Sequence, residues 1–244
     1  FSTFGRDLQL LIDPPDTGAF RYVPRDATLG GGGVRLARLE RGQTLTARIP
    51  IVYDPNTISY AVFESAGPTQ LALQTNCRGD ARLENQTAIG RGVAFEVEVL
   101  PPTGDDRAAW ELLRDTGAFD SIHSMTIRDP KHAGPIERVV YEAPNAAVRP
   151  FCLMTLSNYA REIARENPEA GHREALRFAA TLVKDHPNHI LTRSAYLNML
   201  EIFEATERMD EAKEVVRTLW TDPFLAENIP VSIQSLQRYL DLPI

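Results

Sequence analysis

Cysteine is scarce in this chain: Cys77 and Cys152 are the two thiols among 244 residues. Two are too few for a disulfide framework, and without a Cys-x-x-Cys spacing they offer no zinc site of the finger or ribbon type. Both read as small buried hydrophobes, with a Cys77–Cys152 bridge between the two halves open to them in an oxidising compartment. No stretch approaches the roughly 18 consecutive apolar residues that span a bilayer, so no membrane insertion is expected of this segment. Positive charge is in deficit, 26 Lys and Arg against 33 Asp and Glu for a net charge of −7. That balance sets aside nucleic acid and anionic membranes as partners, since either rewards a basic patch. Lysine is missing altogether from residues 1–103, which carry ten arginines; nothing physical accounts for the bias. Complete catalytic signatures are also missing. There is no Gly-x-Ser-x-Gly elbow, and the run Gly30–Gly33 lacks the Gly-Lys-Ser/Thr ending of a phosphate loop and leads into a strand pattern, so no helix N-terminus awaits an anion. No cofactor and no metal are expected.

What is present first is alternation. Leu8, Leu10 and Ile12 alternate with Asp7, Gln9 and Leu11, and Leu45, Ala47, Ile49 and Ile51 alternate with Thr44, Thr46, Arg48 and Pro50. Phe20–Val23 and Val34–Leu39 are further short elements, Leu71 and Leu73 share the period, and Val93, Phe95, Val97 and Val99 against Ala94, Glu96 and Glu98 are the clearest case. A period of two with one charged face describes antiparallel strands wetted on one side. Several of them, separated by turns such as Asp54-Pro55-Asn56 and Ala66-Gly67-Pro68, predict an N-terminal immunoglobulin-like β-sandwich over 1–103. Asn85-Gln86-Thr87 matches the glycosylation triplet.

Pro101-Pro102 closes the last strand, because proline donates nothing to a ladder. Residues 104–144 read as a short capped helix and an irregular linker. Thr103 stands three before Asp106, the spacing of a capping box, Ala109, Leu112 and Leu113 give one apolar side, and Trp110 is placed to dock the helix on the sandwich. The linker holds Ser121, His123 and Ser124 near Asp120 and Asp129. Those are the residue types of nucleophile, base and orienter, which makes a hydrolase site at the domain junction the alternative to a non-catalytic protein.

Residues 145–244 change period. A first helix, opened by Asn145 and stopped at Asn167-Pro168, takes in Phe151, Met154, Leu156, Tyr159, Ala160 and Ile163. A second, about 173–185, places Ala175, Phe178, Ala179 and Leu182 on one stripe. A third spans about 189–206 with Tyr196, Met199, Leu200 and Phe203 buried, and a fourth turns Ala212, Val215, Val216, Leu219 and Trp220 inward. The second and fourth repeat one another at a shift of 37: Glu174-Ala175 falls on Glu211-Ala212, Ala179 on Val216, Thr181-Leu182 on Thr218-Leu219. A fixed period of this size marks stacked helical hairpins, none of which buries its apolar stripe alone. Ile229, Ile233, Leu236 and Leu240 predict a closing helix. His186 and His189 beside Asp185 suggest a metal pair, but Pro187 breaks the helical register that would put both imidazoles on one face.

Tyr196, Leu200, Phe203, Ala212, Val216, Leu219 and Pro223 resemble the tetratricopeptide repeat, with Tyr159 and Ala175 matching in the preceding unit and Glu166 departing where Phe203 is apolar. With the joint Pro101-Pro102-Thr103-Gly104-Asp105, the whole order is similar to bacterial proteins that join a sandwich to such helices, an α+β multidomain architecture. Those proteins are usually exported and of unknown function, so the resemblance implies an exported or periplasmic placement and no chemistry. It also implies that a peptide would lie along the first helices. In this sequence the matching positions are Ser194, Leu197, Glu201 and Glu204. Two glutamates there would repel a peptide's terminal carboxylate, so the expected partner is a neutral or basic protein or peptide segment. The leading expectation is therefore a non-enzymatic interaction scaffold. A purely structural unit of a larger polypeptide or assembly is a further alternative, and the chain opens on Phe1, not Met.

Overall fold

In the computed structural model, residues 8–12, 20–22, 67–75, 92–222 and 225 are described. The chain divides into two compact units, Phe1–Pro101 and Pro102–Ile244, with the boundary in the chain falling between the two prolines.

In the first unit, β1 (Leu8–Ile12), β2 (Phe20–Tyr22), β3 (Gly67–Thr75) and β4 (Gly92–Val99) form one antiparallel sheet in the order β2-β1-β3-β4. The register sets Ile12 opposite Phe20 and Leu71, and Leu71 opposite Phe95, so the alternating apolar positions line up in rows across the strands. The expected immunoglobulin-like sandwich is not what these residues build. A sandwich needs two sheets packed face to face; the described strands belong to a single sheet, and the described residues are mostly helical. Alternation reports that each strand has one dry face. It does not report whether a second sheet or something else covers it. The expected strands at 34–39 and 44–51, the run Gly30–Gly33, Cys77 and the Asn85 triplet lie outside the described residues, as does the closing helix expected at 229–240.

The described residues of the second unit form helices: α1 (Gly104–Leu113), α2 (Ala118–Ser124), a 3-10 turn (Pro130–His132), α3 (Ala133–Glu142), α4 (Arg149–Ile163), α5 (Pro168–Asp185), α6 (Thr192–Ala205) and α7 (Met209–Thr221). The stretch expected to be an irregular linker thus folds as helices, too short for a periodic stripe to stand out. They pack through Leu113, Phe119, Ile122, Ile136, Val139 and Val140, all buried. Trp110 does its packing here, its ring 5.5 Å from that of Phe119. Thr103 precedes α1 but makes no side-chain cap. Instead the acidic first turn reaches forward: Asp105 accepts from Asn145 N at 2.7 Å, and Asp106 from Ala147 N at 2.7 Å. Asn145 therefore ties the α3–α4 connection to the start of α1, while Val148 occupies the N-cap position of α4.

Helices α4 to α7 pack in sequence, each on the next, with α4 also touching α6. Antiparallel pairing of α4 with α5 follows from two contacts. A methyl group placed on Gly171 would meet the Ala164 backbone at 2.5 Å, and Ser157 Oγ donates to Ala175 O at 3.0 Å, so one helix descends as the other climbs. Asn167 and Pro168, expected to stop α4, start α5: the Asn167 side chain accepts from Ala170 N, and Pro168 takes the first helical position, where its missing N–H costs nothing. The α4 helix has already ended at Ile163. Ala160, Ala175 and Ile202 form one buried cluster joining α4, α5 and α6, and Leu200, Phe203, Ala212, Val215, Val216, Leu219 and Leu225 form another between α6 and α7. Ala175 and Ala212, the small residues of the 37-residue repeat, are fully buried at these crossings. Trp220 departs from expectation: it stands at the end of α7, 39% exposed, where the inward stripe has turned away. Among the described residues, no helix is long and apolar enough to cross a membrane.

Candidate functional site

The face shared by α4 and α6 carries a connected side-chain network. On α6 the buried stripe Ala195–Asn198–Ile202 follows helical spacing, and its middle member is polar. Asn198 is 6% exposed. Its amide nitrogen donates to Asn158 Oδ1 on α4 at 2.8 Å and more distantly to Ser157 Oγ at 3.4 Å, while its oxygen accepts from Arg161 Nη1 at 2.7 Å. Asn158 in turn donates to the carbonyl of Met125, the left-handed residue that ends α2, at 3.0 Å. Arg161 reaches on to pair with Glu201. The result is a polar chain running Met125, Asn158, Asn198, Arg161, Glu201 across three helices. Each amide uses both of its ends, which removes the penalty of about 1–3 kcal/mol that an unsatisfied buried polar group carries. Because Asn158 meets Asn198 and Arg161 meets Glu201, α4 and α6 run in the same direction side by side.

Of the four positions expected to contact a peptide, all lie on α6. Ser194 is half-buried. Leu197 is half-buried and leans on the α6–α7 core, so part of its side chain is structural. Glu201 is exposed, and its charge is offset by Arg161, whose side chain is 32% exposed. Glu204 is half-buried one turn further on. Sequence reasoning missed Asn158, Arg161 and Asn198. The one readable signal was Asn198, an amide where the α6 stripe calls for an apolar residue.

The residues of the hydrolase alternative are not brought together as a triad. Ser121 Oγ lies 2.8 Å from Nδ1 of His132, a histidine outside the expected set, whereas His123 sits half-buried within α2. Ser121 is 2% exposed, so its hydroxyl has no path to a substrate, and the pair ties α2 to the start of α3. Asp129 is turned to Lys131, accepting from its backbone at 3.1 Å and from Nζ at 2.7 Å. The Lys131 bonds hold the Asp129 carboxyl below the usual range. Ser124 donates to the carbonyl of Asp120 at 2.8 Å, as exposed helix-end serines do.

Where α5 ends, Arg149, buried at the start of α4, donates from Nε to Val140 O at 3.1 Å and from Nη1 to Asp185 at 2.9 Å and to His186 Nε2 at 3.2 Å. His189 packs edge-on to Phe151, ring centroids 5.1 Å apart, and its Nδ1 accepts from Leu191 N at 3.2 Å. His186 and His189 thus each spend a ring nitrogen on a protein donor. Among the described residues, no group of three or more His, Cys, Asp or Glu side chains could hold a metal ion. Cys152 is a free, fully buried thiol, and burial pushes its pKa well up; Cys77, its expected partner in a bridge, lies outside the described residues.

Comparison with protein-family models, with curated proteins and with solved structures finds no match to this chain.

Proposed function

We propose that the α4–α7 hairpins are a tetratricopeptide-like recognition unit that holds a protein or peptide segment along the α4–α6 face, with no chemistry performed on it. The observation that carries this reading is the polar chain Asn158–Asn198–Arg161–Glu201, fixed in place across two parallel helices and opening to solvent at Arg161 and Glu201. A guanidinium has five donors, and those of Arg161 not engaged by Asn198 and Glu201 are held ready for a carbonyl of an extended segment. Side chains already locked by their neighbours lose little freedom on binding, which is where affinity at such surfaces comes from. Glu201 and Glu204 of α6 against the one Arg161 of α4 give these positions a formally acidic balance, so a neutral or basic segment fits and an acidic one does not. Ser194 and Leu197 continue the same line of α6 toward its N-terminus.

The test is selection from a displayed peptide library with the full chain, followed by titration of the selected peptides. Neutral or basic sequences are expected to emerge, with binding weakened at least tenfold by Arg161→Ala and by Glu201→Ala while the circular dichroism of the chain is unchanged. Enrichment of acidic sequences, or affinities indifferent to both substitutions in folded protein, would refute the proposal.

A further inference from the structure

The turn between α5 and α6 holds two histidines that can keep their places only while neutral. Nε2 of His186 faces Nη1 of Arg149 at 3.2 Å. An arginine nitrogen can only donate, so His186 must accept there and carry its proton on the other ring nitrogen. Nδ1 of His189 faces the backbone N–H of Leu191 at 3.2 Å; that too is a donor, so His189 accepts as well. The two rings lie 6.4 Å apart, centroid to centroid. We infer that His186-Pro187-Asn188-His189 is a proton-sensitive latch, closed when both imidazoles are neutral and released in mild acid, which loosens the turn that leads into α6 and its hold on α4.

The step is a proton taken up by each accepting lone pair. Once Nε2 of His186 bears a proton, two donors face each other across 3.2 Å and the bond becomes a repulsion. Once Nδ1 of His189 bears one, Leu191 N loses its acceptor. The surroundings discourage this protonation until the pH falls. Around His186, Arg149 on α4 repels the incoming charge, Asp185 on α5 attracts it but is already bonded to the same guanidinium, and α3 contributes the Val140 carbonyl that holds Arg149. Around His189, α4 presents the apolar edge of Phe151, the turn presents His186, and α6 presents Thr192, whose hydroxyl is occupied by the His186 carbonyl at 2.6 Å. Burial lowers the pKa of both rings, and for each it is the largest cause.

The sign follows. In the unfolded chain each ring protonates near the ordinary value of about 6.5. In the folded chain both stay neutral to lower pH, so the unfolded state binds more protons as pH falls below that value, and closure weakens with acidification. The partners at risk are those held by this turn: Leu191 N, and Arg149's bond to His186, with the Arg149–Asp185 pair left behind.

The test uses the full chain. Histidine ring protons are followed by NMR from pH 8 to pH 5, and amide hydrogen exchange at Leu191 and Thr192, corrected for intrinsic rates, is compared at pH 7.5 and 5.5. Two ring titrations with midpoints below 6.5 and at least a tenfold loss of protection at Leu191 are expected, with amides of α7 unaffected. A His186→Gln, His189→Gln chain should keep the same protection at both pH values. Ring midpoints at or above 6.5, equal protection of Leu191 across the range in the unmodified chain, or a pH response retained by the folded double variant would each overturn the inference. The unmodified chain alone decides the matter should the double variant fail to fold.

Discussion

Replacing Gly171 by alanine tests how closely α4 and α5 cross. Alanine at this position would put its methyl carbon 2.5 Å from both Cα and N of Ala164 and 2.6 Å from its Cβ. Carbon atoms in contact prefer about 3.5–4.0 Å, so the helices must separate by roughly 1 Å there. Because the obstructing atoms are backbone, no side-chain rotation relieves the overlap, and such overpacking costs about 1–3 kcal/mol. Against it stands alanine's helix propensity, a gain of up to about 1 kcal/mol, reduced because Gly171 lies in the first turns of α5. The expected balance is a loss of about 1–2 kcal/mol, equivalent to a thermal midpoint lowered by roughly 2–8 °C. The control is Gly134→Ala in α3, where nothing lies within 4 Å of the added methyl; there propensity acts alone and stability should rise or hold. Both variants are compared with the unmodified chain by urea unfolding monitored at 222 nm. If Gly171→Ala matches or exceeds the unmodified chain, or if Gly134→Ala loses as much, the close crossing is not what fixes the spacing of α4 and α5.

Asn198→Ala should cost about 1–3 kcal/mol, since it strands Arg161 Nη1 and Asn158 Oδ1 at the α4–α6 contact. Asn198→Asp, which keeps the acceptor for Arg161 and loses the donor to Asn158, should fall between, and urea midpoints that rank the two the other way would contradict the assigned directions of the bonds. For Cys152, buried and held protonated by its surroundings, alkylation by iodoacetamide in a Cys77→Ser chain should be undetectable under native conditions and should rise with urea in step with unfolding. Labelling at the rate of a free thiol peptide in the absence of denaturant would show Cys152 to be accessible.

The helical stack was readable because its signals are local and redundant. Ala175, Phe178, Ala179 and Leu182 repeat at 3.6-residue spacing, and Ala212, Val215, Val216 and Leu219 repeat them again. The first unit was misread because alternation is a property of one strand, while the number of sheets is a property of partners far away in sequence. Residues 115–144 were misread for a different reason: α2 has seven residues and α3 ten, and a stripe of Phe119 and Ile122, or of Ile136, Val139 and Val140, is too brief to show a period. Asn167-Pro168 was assigned to the wrong helix because a capping residue followed by proline both excludes the helix before it and opens the helix after it.

The α4–α6 side-chain network was less legible, because it depends on how the hairpins slide past one another. Glu201 was visible on α6, but its partner depends on the offset between two helices that no local pattern encodes. The observed offset has a simple origin. Arg161 and Asn198 occupy equivalent places in the 37-residue repeat, and they touch. When parallel helices stack by translation, a position meets its own counterpart first, and the neighbours one turn away, here Asn158 with Asn198 and Arg161 with Glu201, meet at an offset of 40. Counterparts in a stack therefore constrain one another: two arginines at 161 and 198 would repel, and two leucines would leave Asn158 Oδ1 unmet. The departure from strict repetition at this position, arginine in one unit and asparagine in the next, is what lets the stack continue a polar face through the junction.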